Sequence, residues 1–370
     1  VLTLSVVLAV AALAVAYANG ANDNFKGVAT LYGSGTVGYR GALAWATVTT
    51  LAGSLASVFL AGKLVKAFSG KGLVPDGLAA SPEFLAAVAV GAAGTLWFAT
   101  LRGFPISTTH ALIGGMVGAG LAGAPSELAG GRLLQVFLIP LLVSPLIAAL
   151  AGGFLALRVR RLGVAPRERL CLCVGDTARP LLQPRLGVSM AAVQAPAFDV
   201  ATGTYEQCEE RFPAKAARFD LARLRDGAHF LSAGAVSFAR GLNDTPKIVG
   251  LLVALQALRV EVSLLAVALV MALGGVLQAR KVAETVGRRI TGMDHTQGLT
   301  SNAVTAFLVI VASRFGVPVS TTHVSCGALF GLGTANGQGR FAVMRQILLA
   351  WVVTLPVSAL LAASAFAILG

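Results

Sequence analysis

The sequence predicts an all-α polytopic membrane protein: an inverted-topology repeat of two homologous halves, with broken helices or re-entrant hairpins and about 10–12 membrane segments. Three observations predict it. The 370 residues are 56% hydrophobic and only 12% charged, with a mean hydropathy of +0.79, far too apolar for an ordinary soluble domain. The apolar residues fall in runs of about 18–25, the length that crosses a bilayer. Two polar motifs then recur in the same order. Gly20-Ala21-Asn22-Asp23-Asn24-Phe25-Lys26-Gly27 returns as Gly241-Leu242-Asn243-Asp244-Thr245-Pro246-Lys247, 221 positions later. Phe104-Pro105-Ile106-Ser107-Thr108-Thr109-His110 returns as Val317-Pro318-Val319-Ser320-Thr321-Thr322-His323, 213 positions later.

The apolar runs of the first half are 1–19, 41–62, 81–101, 104–123 and 133–157. Those of the second are 228–258, expected to break near Asn243, then 260–279, 298–315, 316–335 and 341–369. Ala16-Tyr17-Ala18 resembles a signal-peptidase site, but the matching segment of the second half is internal and no basic region precedes it, so residues 1–19 read as a transmembrane helix. If every segment crosses, each half has an odd number of crossings and the second is inverted. The fourth segment of each half, set off by Arg102-Gly103 and Arg314-Phe315-Gly316 and rich in Pro, Ser, Thr and Gly, suits a re-entrant hairpin with its tip inside the protein.

The expected organisation is a first repeat at 1–157, a central cytoplasmic region at 158–226 and a second repeat at 227–370. Arg158, Arg160 and Arg161 open the central region, and Arg218, Arg223 and Arg225 close it, which puts it in the cytoplasm of a cell-membrane protein with both termini outside. The net charge of +13 is thereby assigned to loops between spans and not to nucleic acid. Val188–Thr204 is moderately apolar with turn residues and suits a small β-containing subdomain. Cys171, Cys173 and Cys208 offer three metal ligands, but no fourth is visible and reduced thiols are the favoured reading. Cys326 lies in an apolar run and reads as packing.

The chemistry lies in the duplicated motifs. Pro suits a first helical position and Ser or Thr an N-cap, so each Pro-x-Ser-Thr-Thr-His element starts a helix whose free N–H groups can face an anion. Two such starts facing each other at the midplane would enclose one tetrahedral oxyanion with Ser107, Thr108, Thr109, Ser320, Thr321 and Thr322. Asp23 and Asp244 would repel that anion unless a cation, a proton or a protonated substrate oxygen intervenes. A cation-coupled symporter therefore follows more naturally than an uncoupled anion channel. Asn22, Asp23, Asn243, Asp244 and Thr245 provide hard oxygen ligands suited to sodium; a proton needs only the carboxylates. Lys26 and Lys247 either serve the site or snorkel toward headgroups. His110 and His323 follow Ser107 and Ser320 by one helical turn, but a hydrolytic Ser–His pair lacks an orienting third group and a G-x-S-x-G elbow. No enzyme activity and no bound cofactor are expected. Gly114 and Gly118, like Gly327 and Gly331, offer small faces for close helix packing, within the chain or between subunits.

On these motifs the chain resembles the inorganic phosphate transporter (PiT) family of sodium- and proton-dependent permeases. The resemblance covers nearly everything except the central region. It implies an inverted-repeat fold, a midplane phosphate site at the positions of Asp23, Asp244 and the two Ser-Thr-Thr triplets, a co-transported sodium ion or proton, and a homodimer in the bilayer. Two departures stand out. The first motif continues Asn24-Phe25-Lys26 where a small-residue or Pro-containing run is usual, and Lys63-Leu64-Val65-Lys66 stands where the second half has Glu284-Thr285-Val286-Gly287. Glu284, if it joins a cation site, makes that site single or asymmetric. Similar proteins of the wider family carry sulfate, the alternative substrate.

Overall fold

The computed structural model describes residues 2–161, 170–179, 195–212, 216–252 and 259–370. It divides into a unit of Val1–Arg158 with His229–Gly370 and a smaller unit of Val159–Ala228.

In the larger unit the chain begins with α1 (Leu2–Asp23), a 3-10 turn over Lys26–Val28, α2 (Ala29–Gly33), α3 (Tyr39–Leu60), α4 (Gly62–Ala67) and α5 (Asp76–Ala79). It continues through α6 (Pro82–Arg102), α7 (Thr108–Gly123) and α8 (Gly130–Arg132), then a π-helical turn over Leu133–Leu138 into α9 (Ile139–Arg161). After α10 (Tyr205–Arg211) in the smaller unit come α11 (Leu221–Leu252), α12 (Val260–Gln278), α13 (Arg280–Glu284), α14 (His295–Phe315), α15 (Thr321–Asn336) and α16 (Phe341–Leu369).

Among the described residues seven helical stretches are long and apolar enough to cross a membrane: Thr3–Gly33, Tyr39–Leu60, Pro82–Arg102, Gly130–Arg161, Val260–Gln278, His295–Phe315 and Phe341–Leu369. Among the described residues the other three apolar runs of the sequence are also helical. Two of them, α7 and α15, have 16 residues each and reach only about 24 Å at ~1.5 Å per residue, short of the ~30 Å hydrocarbon core. The third, α11, is interrupted by Arg240, Asn243, Asp244 and Lys247 and is not apolar enough over a membrane-spanning length.

The break expected near Asn243 is corrected by α11, which runs without interruption from Leu221 to Leu252 with Pro246 inside it. The corresponding break is present in the first half, where α1 stops at Asp23 and helix resumes only at Lys26. The break falls at Asn24-Phe25, where the second half has Thr245-Pro246, and there the apolar run Ile248–Leu252 carries α11 past its proline.

The hairpin tips are built alike. Helix α6 ends at Arg102 with Gly103 at φ 72°, and α14 ends at Phe315 with Gly316 at φ 75°; this left-handed turn is where glycine is favoured. An extended segment follows, and helix restarts at Thr108 and Thr321 with Ser107 and Ser320 as N-caps. Pro105 and Pro318 therefore lie in the extended segments and not at the first helical positions expected for them.

Packing interleaves the halves. Helix α1 lies against α6 and α12, and α16 lies against α6 and α7. A Cβ on Gly114 or Gly118 of α7 would run into the backbone of Leu355 or Ala359 in α16, and one on Gly327 or Gly331 of α15 into that of Pro145 or Ala149 in α9. Each small-residue face thus packs within the chain, against the last helix of the opposite half.

The smaller unit holds a three-stranded antiparallel sheet of order β2-β1-β3, with β1 at Leu170–Arg179, β2 at Ala195–Thr204 and β3 at Ala216–Asp220. The β-rich reading of Val188–Thr204 meets β2; residues 188–194 lie outside the described residues. Helix α10 opens with a capping box from Thr204 and Gln207 and brings Cys208 to Cys173 at a Cα–Cα distance of 5.9 Å, where the two form a disulfide, a spacing that suits the bond. The expectation of three reduced thiols is corrected accordingly. Cys171 and Cys326 are free and buried.

Candidate functional site

Both Asn-Asp elements and both hairpin tips meet in one buried cluster. Asp23 and Asp244 are each 2% exposed, Lys26 is 3% exposed, and Lys247 and Arg240 are fully buried. Charges withdrawn from water this far must be paired and hydrogen-bonded, and these are.

In the first half Lys26 reaches back one turn to the carboxylate of Asp23 and donates to Asn22 Oδ1 at 2.8 Å, the Ile106 carbonyl at 2.9 Å and Thr322 Oγ1 at 2.6 Å. In the second, Lys247 donates to Asp244 Oδ1 at 3.4 Å, Thr109 Oγ1 at 2.8 Å and the Val319 carbonyl at 2.7 Å. The contacts correspond position for position: each lysine holds its own aspartate, the carbonyl at the tip of its own half, and a threonine of the opposite half. Those threonines complete the exchange, Thr322 donating to the Ile106 carbonyl at 2.9 Å and Thr109 to that of Val319 at 3.2 Å. The lysines do not snorkel.

The asparagines position the tips. Asn22 accepts from the Ile106 amide at 3.2 Å and donates to Thr100 Oγ1 at 2.9 Å and the Phe104 carbonyl at 3.0 Å. Asn243 donates to Asp244 Oδ1 at 2.9 Å and to the Val319 carbonyl and Thr321 Oγ1, both at 3.2 Å, and accepts from Ser313 Oγ at 3.2 Å. Thr108 donates to Asp23 Oδ2 at 3.2 Å. Ser107 and Ser320 accept from the backbone amides of His110 and His323 at 3.1 and 3.3 Å, so their hydroxyls are used as caps.

Other expected site residues stand apart from this network. Thr245 donates to Ser54 Oγ at 2.7 Å and lies 3.6 Å from Met271 Sδ. Glu284 accepts from the Tyr32 hydroxyl at 2.8 Å. His110 and His323 meet ring to ring with centroids 4.5 Å apart, and His323 also lies 3.9 Å from the Trp351 ring. Each histidine meets its serine through the backbone amide, which is not a nucleophile–base contact.

Two residues at the centre were missed in the sequence. Asn19 donates to Thr108 Oγ1 at 2.8 Å, Asp23 Oδ2 at 3.2 Å and Asp244 Oδ2 at 3.3 Å, linking the two carboxylates. Arg240 donates to Asn19 Oδ1 at 2.6 Å and Asn24 Oδ1 at 3.0 Å, with its Nε 3.8 Å from Asp244 Oδ2. Both precede their aspartate by four residues, one turn earlier on the same helix face; extending the motif by that turn would have found them. With Arg240 the buried cluster holds three cations against two carboxylates. It carries one net positive charge, reinforced by the N-termini of α7 and α15, and can hold an anion.

The model of the Phosphate transporter family matches residues 19–362, including both Asn-Asp elements and both hairpin tips. This chain belongs to the phosphate transporter family. It is 30% identical over 390 aligned positions to a Thermococcus kodakarensis protein named as a phosphate permease, covering 96% of this chain and 95% of that one. A Pyrococcus abyssi protein with the same kind of name is 28% identical over 391 positions, with 96% of both chains covered. A Mycobacterium tuberculosis relative named as a low-affinity inorganic phosphate transporter is 27% identical over 381 positions, covering 98% of this chain and 76% of its own. A solved structure of a sodium-dependent phosphate transporter shares the fold, with a TM-score of 0.75 at 21% identity over 99% of each chain. Membership places this multi-pass membrane protein among transporters, a class without enzymatic turnover.

Proposed function

We propose that this chain carries inorganic phosphate across the cell membrane by cation-coupled symport, with two inverted halves alternating access to one midplane site. The observation that carries the reading is the convergence of two helix starts and two Asn-Asp elements on a buried cluster with one surplus positive charge. Thr108, Thr321, Asn19, Arg240 and the first-turn amides of α7 and α15 bind the phosphate oxygens. The names of the relatives support phosphate as the substrate.

Asp23 and Asp244 favour phosphate over sulfate. At neutral pH a phosphate ion retains a proton and can donate a hydrogen bond to a carboxylate, whereas sulfate meets the same oxygens only with repulsion. The exchanged contacts between halves, Lys26 with Thr322 and Lys247 with Thr109, support a site at the seam that opens to either side as the halves rock.

Uptake of labelled phosphate into proteoliposomes, driven by a cation gradient and challenged with excess sulfate, tests this reading. Saturable gradient-driven uptake that resists sulfate is expected; equal inhibition by sulfate and phosphate would reassign the substrate.

A further inference from the structure

We propose that the ammonium groups of Lys26 and Lys247 occupy the two cation positions beside the aspartates, so that this chain transports its anion without sodium. The inference rests on the phosphate reading above and specifies which cation that reading leaves for coupling.

The oxygen atoms around the two lysines are of the kind a small hard cation selects: a carboxylate, a backbone carbonyl and a hydroxyl at each, with an amide oxygen added at Lys26. Around Lys26 Nζ stand Asp23 Oδ1, the Ile106 carbonyl, Thr322 Oγ1 and Asn22 Oδ1. Around Lys247 Nζ stand Asp244 Oδ1, the Val319 carbonyl and Thr109 Oγ1. Asn22, Asp23 and Asp244 are three of the five residues whose oxygens the sequence offers to sodium, and in both halves a lysine three positions after the aspartate takes the place. An ammonium group is a compact point charge with three donors. It fills an oxygen cage much as a monovalent ion does, but cannot leave.

A sodium ion entering either cage would meet a tethered like charge inside a buried site, where repulsion is little screened. The need for sodium also disappears. Coupling was inferred from carboxylates that would otherwise repel an anion, yet each carboxylate here has a lysine of its own, and Arg240 supplies the surplus charge that one phosphate monoanion neutralises. The residues of the cages therefore do not fit a transported sodium ion. The coupling cation left is the proton that the phosphate itself carries.

The test is the initial rate of labelled phosphate uptake by the reconstituted full chain under an inward proton gradient, in sodium, potassium or choline medium. Rates within about twofold of one another are expected, and stimulation by sodium of about tenfold or more would overturn the proposal. Vacating the cages gives the complementary measurement. The melting temperature of Lys26→Ala/Lys247→Ala, or of Lys247→Ala alone if the double variant does not fold, should rise with sodium but not choline, while that of the parent chain should not respond. A folded variant indifferent to sodium, or a parent chain that binds labelled sodium in detergent, would overturn it. Absence of phosphate uptake in every medium would instead reject phosphate as substrate, with sodium binding to the parent chain still deciding this proposal.

Discussion

Arg240 donates from Nη2 to Asn19 Oδ1 at 2.6 Å, and Asn19 passes its own amide to both Asp23 and Asp244. The two occupy equivalent positions of the halves, 221 residues apart, so the duplicated site is symmetric in its aspartates and lysines but not in its net charge. Arg240→Gln should therefore raise the KM for phosphate by about tenfold, the loss of a charge-assisted contact, with Arg240→Lys recovering part of it. An unchanged KM would remove Arg240 from the anion site.

The ion pairs with Lys26 and Lys247 give the aspartates a structural part. Asp23→Asn leaves Lys26 buried without its carboxylate, at a cost of about 3–5 kcal/mol. Asp23→Asn/Lys26→Met removes both charges and should be the more stable of the two, though still inactive. Thermal unfolding in detergent alongside uptake separates the effects; equal destabilisation by both variants would contradict the pairing.

We propose that Ser107 and Ser320 act mainly as helix caps and Thr108 and Thr321 as anion ligands. Ser107→Ala and Ser320→Ala remove caps worth about 1 kcal/mol each, so lower stability with a modest change in KM is expected. Thr108→Val with Thr321→Val should raise KM more than the serine pair does. The opposite order in uptake kinetics would return the serines to the anion.

Thr245 bonds Ser54 and contacts Met271 away from the cluster. Thr245→Val is accordingly expected to cost about 1 kcal/mol of stability and to leave the KM for phosphate unchanged, as measured by uptake titration. A large rise in KM would bring Thr245 back into the site.

We propose from the arginines flanking the smaller unit that it lies on the cytoplasmic face. Arg211 of α10 is more than half exposed, so Arg211→Cys should react with an impermeant maleimide in inside-out vesicles and not in intact cells. Labelling of intact cells would reverse the orientation.

Much of this was legible in the sequence because the chain is duplicated. Ser107 and Ser320 identify themselves as caps by residue type and position, and Gly103 and Gly316 as the turns before them. Ten apolar runs correspond to ten helices. The course of α11 past Pro246 was not legible: a proline just after an Asn-Asp pair reads as a break, and the apolar run beyond it, packed in the core, keeps the helix whole. The role of the lysines was equally hidden. A lysine near the end of an apolar run has the same local signature whether it snorkels or turns inward, and the oxygens that decide it, on Thr322 and Thr109, lie in the opposite half. The disulfide between Cys173 and Cys208 depends on how α10 returns to β1, a contact 35 residues apart in sequence that spacing alone cannot specify.

The central claim, that the buried cluster carries phosphate, is tested most directly by phosphate uptake into proteoliposomes holding either the parent chain or Asp244→Asn. Saturable accumulation by the parent chain and none by the variant, with sulfate a poor competitor, is the expected result. Uptake by the parent chain no greater than by empty liposomes, or equal in the parent chain and Asp244→Asn, would contradict it.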